Sequence, residues 1–259
     1  DPRTGISLPA LAKALARWPI RACALVPHCS NPTGYVMEEE AKRALVELCT
    51  RHGVALIEDD VYGELARDRS GLRPRTLKAT DPEDRVWLCG SASKTVAPGL
   101  RVGWLLGPAE AQERVEYLKC TGSLSAPVLA QYALAELYGG RGVDRHLRLV
   151  RERYAELTER TADRVLAAFP EGTAVSRPAG GFVLWIRMPE DVDALALYRT
   201  ARVEGIVIAP GPIFSAAGRY EHCLRLNTAV SRAAELDRAI VRLGVLAERC
   251  RSGVLGPAP

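Results

Sequence analysis

Lysine is scarce in this chain. Five of the 35 basic residues are lysine (Lys13, Lys42, Lys78, Lys94 and Lys119) and the rest are arginine. No apolar run approaches the roughly 20 residues that cross a bilayer, so no membrane contact is expected. The seven cysteines (Cys23, Cys29, Cys49, Cys89, Cys120, Cys223, Cys250) include no C-x-x-C pair. The four histidines are scattered, with only His28 beside a cysteine. Neither pattern suits a disulfide framework or a common zinc site; reduced, buried thiols in a cytoplasmic protein and no metal are the expectation. The opening Asp1-Pro2-Arg3-Thr4-Gly5 has no signal- or transit-peptide character and no Met, so residue 1 is not expected to be the natural start. There are no internal repeats. A basic stripe is missing too: the net charge is +4, but the arginines are spread along the chain. Their densest cluster, Arg141 to Arg164, alternates with Glu152, Glu156 and Glu159 as a solvated helix face does. No nucleic-acid contact is expected from this segment itself.

What is present is an ordinary globular composition. The chain has 259 residues, 47% hydrophobic and 25% charged, enough for one large or two modest domains. Helices are expected over Leu8–Arg17, Glu38–His52, Ala109–Lys119 and Pro127–Tyr138, and strands over Arg21–Val26, Val54–Glu58, Val86–Cys89 and Val102–Leu106. Alternating strands and helices predict an α/β fold with a mainly parallel sheet sandwiched by helices. Gly139-Gly140-Arg141-Gly142 marks a boundary. A long charged helix, 143–169, then leads into a small α+β domain with strands at 180–186, 206–208 and 223–227, helices at 192–204 and 232–249, and a turn at 209–212. Residues 252–259 read as a tail. Trp18, Trp87 and Trp104 are expected in the core, Trp185 in the core or a pocket wall.

Ligands of parallel α/β sheets sit at the carboxyl ends of the strands. Three polar clusters fall there: Asn31, then Asp59 and Tyr62, then Ser91 to Lys94. Lys94 is the one lysine in a small-residue loop between two apolar strands. A desolvated lysine can lose its proton and attack a carbonyl, which an arginine cannot do. Ser91, Ser93 and Arg101 beside it look like a cradle for an anion. Each piece also has a plain reading. Asn31-Pro32-Thr33-Gly34 is a good turn by itself. Asp59 and Asp60 could cap a helix, Arg225 could be half of a structural ion pair, and Lys94 could be surface.

Taken together, N-P-T-G at 31–34, D-x-x-Y at 59–62, S-x-S-K at 91–94, Arg101 seven residues after the lysine, and Arg225 in a late strand resemble the aminotransferase class I/II family, the fold-type-I enzymes that use pyridoxal 5′-phosphate. The resemblance implies that Lys94 carries the cofactor and later moves the substrate proton. It implies that Asp59 pairs with the pyridine nitrogen, with Asp60 behind it, and that Asn31 and Tyr62 bond the phenolic oxygen. Ser91, Ser93 and Arg101 would hold the phosphate, and Arg225 the substrate carboxylate. Gly34, Gly180 and Gly181 would border the substrate. Ser123 and Ser125 would lie in a loop that reaches the neighbouring subunit's cofactor.

Residues 57–65, 93–104 and Asp144-Arg145-His146-Leu147-Arg148 look like the aminotransferase-like domain of MocR-type regulators in the GntR superfamily, with 2-aminoadipate or aromatic transaminases sharing much of the pattern. That likeness implies an amine or amino-acid effector bearing a carboxylate, a homodimer when intact, and DNA binding by a winged helix-turn-helix outside these residues. The alternative is a free-standing aminotransferase. On the family pattern, residues 1–142 correspond to the C-terminal part of the large domain and 143–251 to the interdomain helix and small domain. The segment that normally precedes N-P-T-G has no counterpart, so weak cofactor binding and an exposed apolar sheet edge are expected.

Overall fold

The computed structural model describes residues 4–67, 71–140, 142–230 and 232–251. The chain forms two compact units. The first holds the residues up to Ser30 and Tyr35–Arg151; the second holds Asn31–Gly34 and the chain from Glu152 onward. The sequence puts a boundary at the glycine run before residue 143. In the structure the division falls inside a helix, between Arg151 and Glu152, and the Asn31 turn goes with the second unit.

In the first unit, helix α1 (Leu8–Arg17) opens on Ser7, whose hydroxyl oxygen accepts from the Ala10 N–H at 3.4 Å, a common N-cap. Strand β1 (Ala22–Leu25) leads to helix α2 (Glu39–Arg51) and strand β2 (Ala55–Asp59). Leu45, Val46, Leu48 and Cys49 of α2 form one core with Leu15, Leu56 and Val86. Strands β3 (Val86–Ser91) and β4 (Gly103–Leu106) complete a sheet of order β1-β2-β3-β4. The first three strands are parallel and β4 is antiparallel. Parallel neighbours require a crossover, and α2 supplies the one between β1 and β2. The segments after Leu25, Asp59 and Ser91 therefore leave the sheet from the same edge.

Helices α3 (Gln112–Ser123) and α4 (Val128–Gly139) bury only Leu134 between them. Trp104 does not join the core as expected: it is 44% exposed, alongside exposed Leu105 and Leu106. Its register partner is Gly90, where any Cβ would collide with the indole, so the ring lies across β3 from an uncovered edge strand. Trp18 is exposed as well, with the Arg17 guanidinium 4.8 Å from its ring centroid. Helix α5 (Gly142–Ala168) buries Val143, Leu147, Leu157, Thr158, Thr161, Ala162 and Val165 at helical spacing, an inward stripe that leaves the charges outside.

The second unit contains β5 (Ala174–Val175), β6 (Val183–Arg187), helix α6 (Ala194–Val203), β7 (Ala209–Pro210), β8 (Cys223–Asn227) and helix α7 (Ala233–Arg251). The sheet order is β5-β6-β8-β7, antiparallel throughout. Leu184, Ile186 and Leu224 of its strands pack on Val165, Leu197, Ile240 and Leu243 of the helices. The strand expected at 206–208 is not there. Pairing occurs instead at Ala209–Pro210, where a turn is expected, and a 3-10 turn follows over Gly211–Phe214. Proline is tolerated because β7 is an edge strand. The expected fold class holds: a largely parallel α/β sheet and a separate α+β unit.

All seven cysteines are free thiols, but they are not uniformly buried: Cys120 is exposed. Among the described residues, no helix is long and apolar enough to cross a membrane. The expected tail, 252–259, lies outside the described residues, as does Arg141.

Candidate functional site

In the first unit, β2 ends on Asp59, and the chain turns at once. The Asp59 carboxylate accepts from the Val61 N–H at 3.3 Å. Tyr62 is buried and caps the short 3-10 turn Gly63–Leu65. The next strand, β3, delivers Ser91. Its hydroxyl lies 2.9 Å from the Ser93 hydroxyl and 3.2 Å from the Val102 carbonyl, and it accepts from the Ser93 N–H at 3.1 Å. Lys94 follows, half-buried, with Nζ 5.8 Å from the Tyr62 ring centroid. Lys42 and Lys78 pair with Glu39, Asp81 and Asp84; Lys94 has no carboxylate partner among the described residues. Arg101 adopts the left-handed conformation at φ 54 where the loop turns back into β4, and its exposed guanidinium donates to the Pro98 carbonyl at 3.3 Å. The first unit thus brings Lys94 to the Tyr62 ring, and Ser91 to Ser93.

Asn31, Gly34 and Arg225 belong to the second unit. Arg225 stands mid-way along β8, half-buried. One of its terminal nitrogens donates to the Asn31 side-chain oxygen at 2.9 Å, and its guanidinium lies 5.6 Å from the Phe214 ring centroid. Its Nε is buried with no hydrogen-bond partner among the described residues. That is an unmet donor on a permanent cation, which costs free energy unless an acceptor arrives. Phe214 in turn meets Trp185 edge-on at 5.9 Å, and Tyr220 meets the same indole at 5.5 Å. Gly34 is at φ +74, and a Cβ there would press on Pro178 and the Val183 carbonyl. Ser123 and Ser125 are exposed.

A buried network behind Asp59 is not apparent from the sequence. Asp60 is almost wholly enclosed; one carboxylate oxygen is 2.5 Å from His28 Nδ1 and the other takes a 2.5 Å bond from Arg73. Arg73 Nε continues to Glu64 at 2.6 Å. Burial lowers the Arg73 pKa, but the charges of Asp60 and Glu64 outweigh it and the guanidinium ends above its ordinary value. Glu58 accepts from the Leu77 and Lys78 N–H groups at 2.8 and 3.0 Å. Burial still raises its pKa, those backbone bonds offsetting only part of the effect. His28, Glu58 and Asp60 are close enough for their ligand atoms to share a cation. However, the carboxylate oxygens are already engaged and Arg73 sits against Asp60, so the group reads as structural. The one available hint was His28 itself, three residues before Asn31 in the same loop.

The family described as aminotransferase class I and II matches residues 2–243. The chain is 40% identical over 245 residues to the uncharacterized HTH-type transcriptional regulator YjiR of Escherichia coli, covering 94% of this chain and 51% of that protein. It is 31% identical over 241 residues to 2-aminoadipate transaminase of Thermus thermophilus, covering 93% of this chain and 60% of that one. Among solved structures, kynurenine aminotransferase of Pyrococcus horikoshii superposes with a TM-score of 0.87 at 27% identity, over 95% of this chain and 61% of that one. The chain spans about half the length of YjiR.

Proposed function

Because the chain belongs to the aminotransferase class I and II family, we propose that it binds pyridoxal 5′-phosphate and a carboxylate-bearing amine, as the effector-sensing domain of a MocR-type transcriptional regulator whose DNA-binding region lies outside these residues. The observation that carries the ligand class is Arg225: a guanidinium on a strand, steadied by Asn31 and Phe214, with a buried nitrogen that has no partner among the described residues. A carboxylate gripped bidentately meets that need. The regulator role is supported by the similarity to YjiR, and likewise to YdcR of the same organism at 35% identity.

The residues present fit the cofactor. Two serine hydroxyls 2.9 Å apart, followed by Arg101, are donors of the kind a phosphate takes. Lys94 lies beside a buried tyrosine and has no carboxylate partner among the described residues. When bound, pyridoxal phosphate supplies an aldehyde for an amine and a ring that accepts the electron pair left on the substrate α-carbon. The chain's own residues would do the rest. The Asp59 carboxylate would hold a proton on the ring nitrogen. The Tyr62 hydroxyl and the Asn31 amide would donate to the phenolic oxygen. Ser91, Ser93 and Arg101 would hold the phosphate, and Arg225 the substrate carboxylate. The Lys94 ε-amine would serve as the general base for the α-proton. On this proposal the protein is cytoplasmic, and the intact form is a homodimer.

A second reading, a free-standing aminotransferase passing the amino group to a 2-oxo acid, is favoured by the similarity to 2-aminoadipate transaminase. The test is spectroscopic titration of the cofactor-loaded protein with amino acids and with the matching amines lacking the carboxylate. The proposal expects a preference for the amino acid of ~10-fold or more that Arg225→Gln abolishes; equal affinity for both would overturn it. Steady-state turnover with a 2-oxo acid by the full-length protein, together with no specific DNA binding, would favour the enzyme.

A further inference from the structure

The opening turns of α5 touch both loops of the first unit that carry the proposed chemistry. His146 is half-buried, with Nε2 2.7 Å from the Thr95 carbonyl oxygen. A carbonyl only accepts, so Nε2 bears the proton and donates it. Thr95 adjoins Lys94, is buried, and has a hydroxyl with no partner among the described residues. The His146 bond is therefore the polar tie that enclosed residue makes through its carbonyl. Five residues further along α5, Arg151 donates from Nε to the Glu64 carbonyl at 2.5 Å and from a terminal nitrogen to the Glu64 carboxylate at 3.4 Å. Glu64 sits in the 3-10 turn that follows Tyr62 and leads through Arg73 to Asp60. Leu147, between the two anchors in sequence, is buried. Both anchors grip main-chain carbonyls, so they act chiefly on backbone position.

We propose that His146 is a positioning residue, with Arg151 as the second anchor: α5 holds the Lys94 loop and the Asp59–Tyr62 loop at a fixed mutual distance, so that the Lys94 amine meets the cofactor aldehyde in reacting geometry. The inference rests on the proposed role of Lys94 and adds to it a residue that touches neither cofactor nor substrate. Displacement of a reacting group by about 1 Å can cost ~100-fold, so loss of the His146 bond should be visible in the rate of bond formation at Lys94. It should leave the binding of the cofactor's phosphate and ring nearly unchanged.

The experiment uses the purified full chain and three measurements: melting temperature, affinity for pyridoxine 5′-phosphate (whose alcohol cannot condense with an amine), and the rate at which pyridoxal 5′-phosphate becomes fixable to Lys94 by borohydride. His146→Leu, which removes the donor, is expected to slow fixation ~10-fold or more while the affinity for the analogue stays within ~3-fold. His146→Gln, whose amide can still donate, is expected to recover most of the rate. If His146→Leu does not fold, His146→Met, similar in length to Gln but without an N–H donor, replaces it in the comparison. Fixation by His146→Leu at the wild-type rate would overturn the inference. So would analogue affinity falling in parallel with the rate, or no difference between Gln and the non-donating variant. Absence of fixation in the wild-type protein would instead refute the role of Lys94 on which the inference rests.

Discussion

Gly63→Ala should be among the most damaging single-methyl additions to this chain. Gly63 lies over Asp60, and a Cβ built there falls well inside 3.0 Å of both carboxylate oxygens. That carboxylate cannot step aside cheaply, since its side chain is only 4% exposed and is pinned by His28 and Arg73 at 2.5 Å each. Two effects add. Forcing a methyl into a packed site costs roughly 1–3 kcal/mol. Loss of one of the charge-assisted bonds to Asp60 costs a further ~1.5–3 kcal/mol, and the His28 bond is the more expensive one because Arg73 is one-third exposed and can turn to water. The total is roughly 2.5–6 kcal/mol, a large share of the ~5–15 kcal/mol that keeps a domain folded. For a protein of this size that is a fall of roughly 5–24 °C in Tm, measurable by circular dichroism. Gly99→Ala is the control: it lies in the Lys94–Arg101 loop, but a Cβ there meets nothing within 4 Å, so its Tm should move by no more than about 2 °C, a few tenths of a kcal/mol. A Gly63→Ala protein that melts within about 2 °C of wild type would show that Asp60 is not pinned and that the network behind Asp59 is not rigid.

Gly244→Ala should destabilise the second unit by ~1–3 kcal/mol, because its Cβ would strike the Ala168 backbone carbonyl where α7 crosses the end of α5; a thermal melt checks it. Cys120, the one exposed thiol, should account for the fast equivalent in an Ellman titration of the native protein, and Cys120→Ser should remove it. Burial first, and the Asp60 charge second, push the Cys29 thiol from 9.0 to about 12. A group raised in the folded state contributes stability that is full below its unfolded value and is lost as pH rises from about 9 toward 12, at up to ~1.4 kcal/mol per pH unit. Urea unfolding at pH 8 and pH 10 should accordingly show a smaller alkaline loss for Cys29→Ala than for wild type.

The fold was readable to the extent that it rests on period and punctuation. The apolar stripe of α2 and the runs of β2, β3, β6 and β8 declare themselves locally, and the scarcity of lysine singled out Lys94. What was not readable depends on partners distant in sequence. The His28–Asp60–Arg73–Glu64–Arg151 chain joins residues from four separate stretches, and no local pattern pairs them. Trp104 and the apolar residues of α3 and α4 have core-like composition, but composition does not say whether anything covers them; within the first unit Leu134 is buried and most of the rest stay exposed. The Asn31 turn follows a strand of the first unit and yet packs with the second, holding Arg225 and fitting under Pro178. Only long-range packing decides that.

On the proposed function Lys94 carries the cofactor. Incubation of the purified protein with pyridoxal 5′-phosphate, reduction with borohydride and peptide mass mapping tests it most directly. One phosphopyridoxyl group per chain is expected on the peptide containing Lys94, and none in Lys94→Ala. A label distributed over Lys13, Lys78 and Lys119, or one that persists in Lys94→Ala, would contradict it.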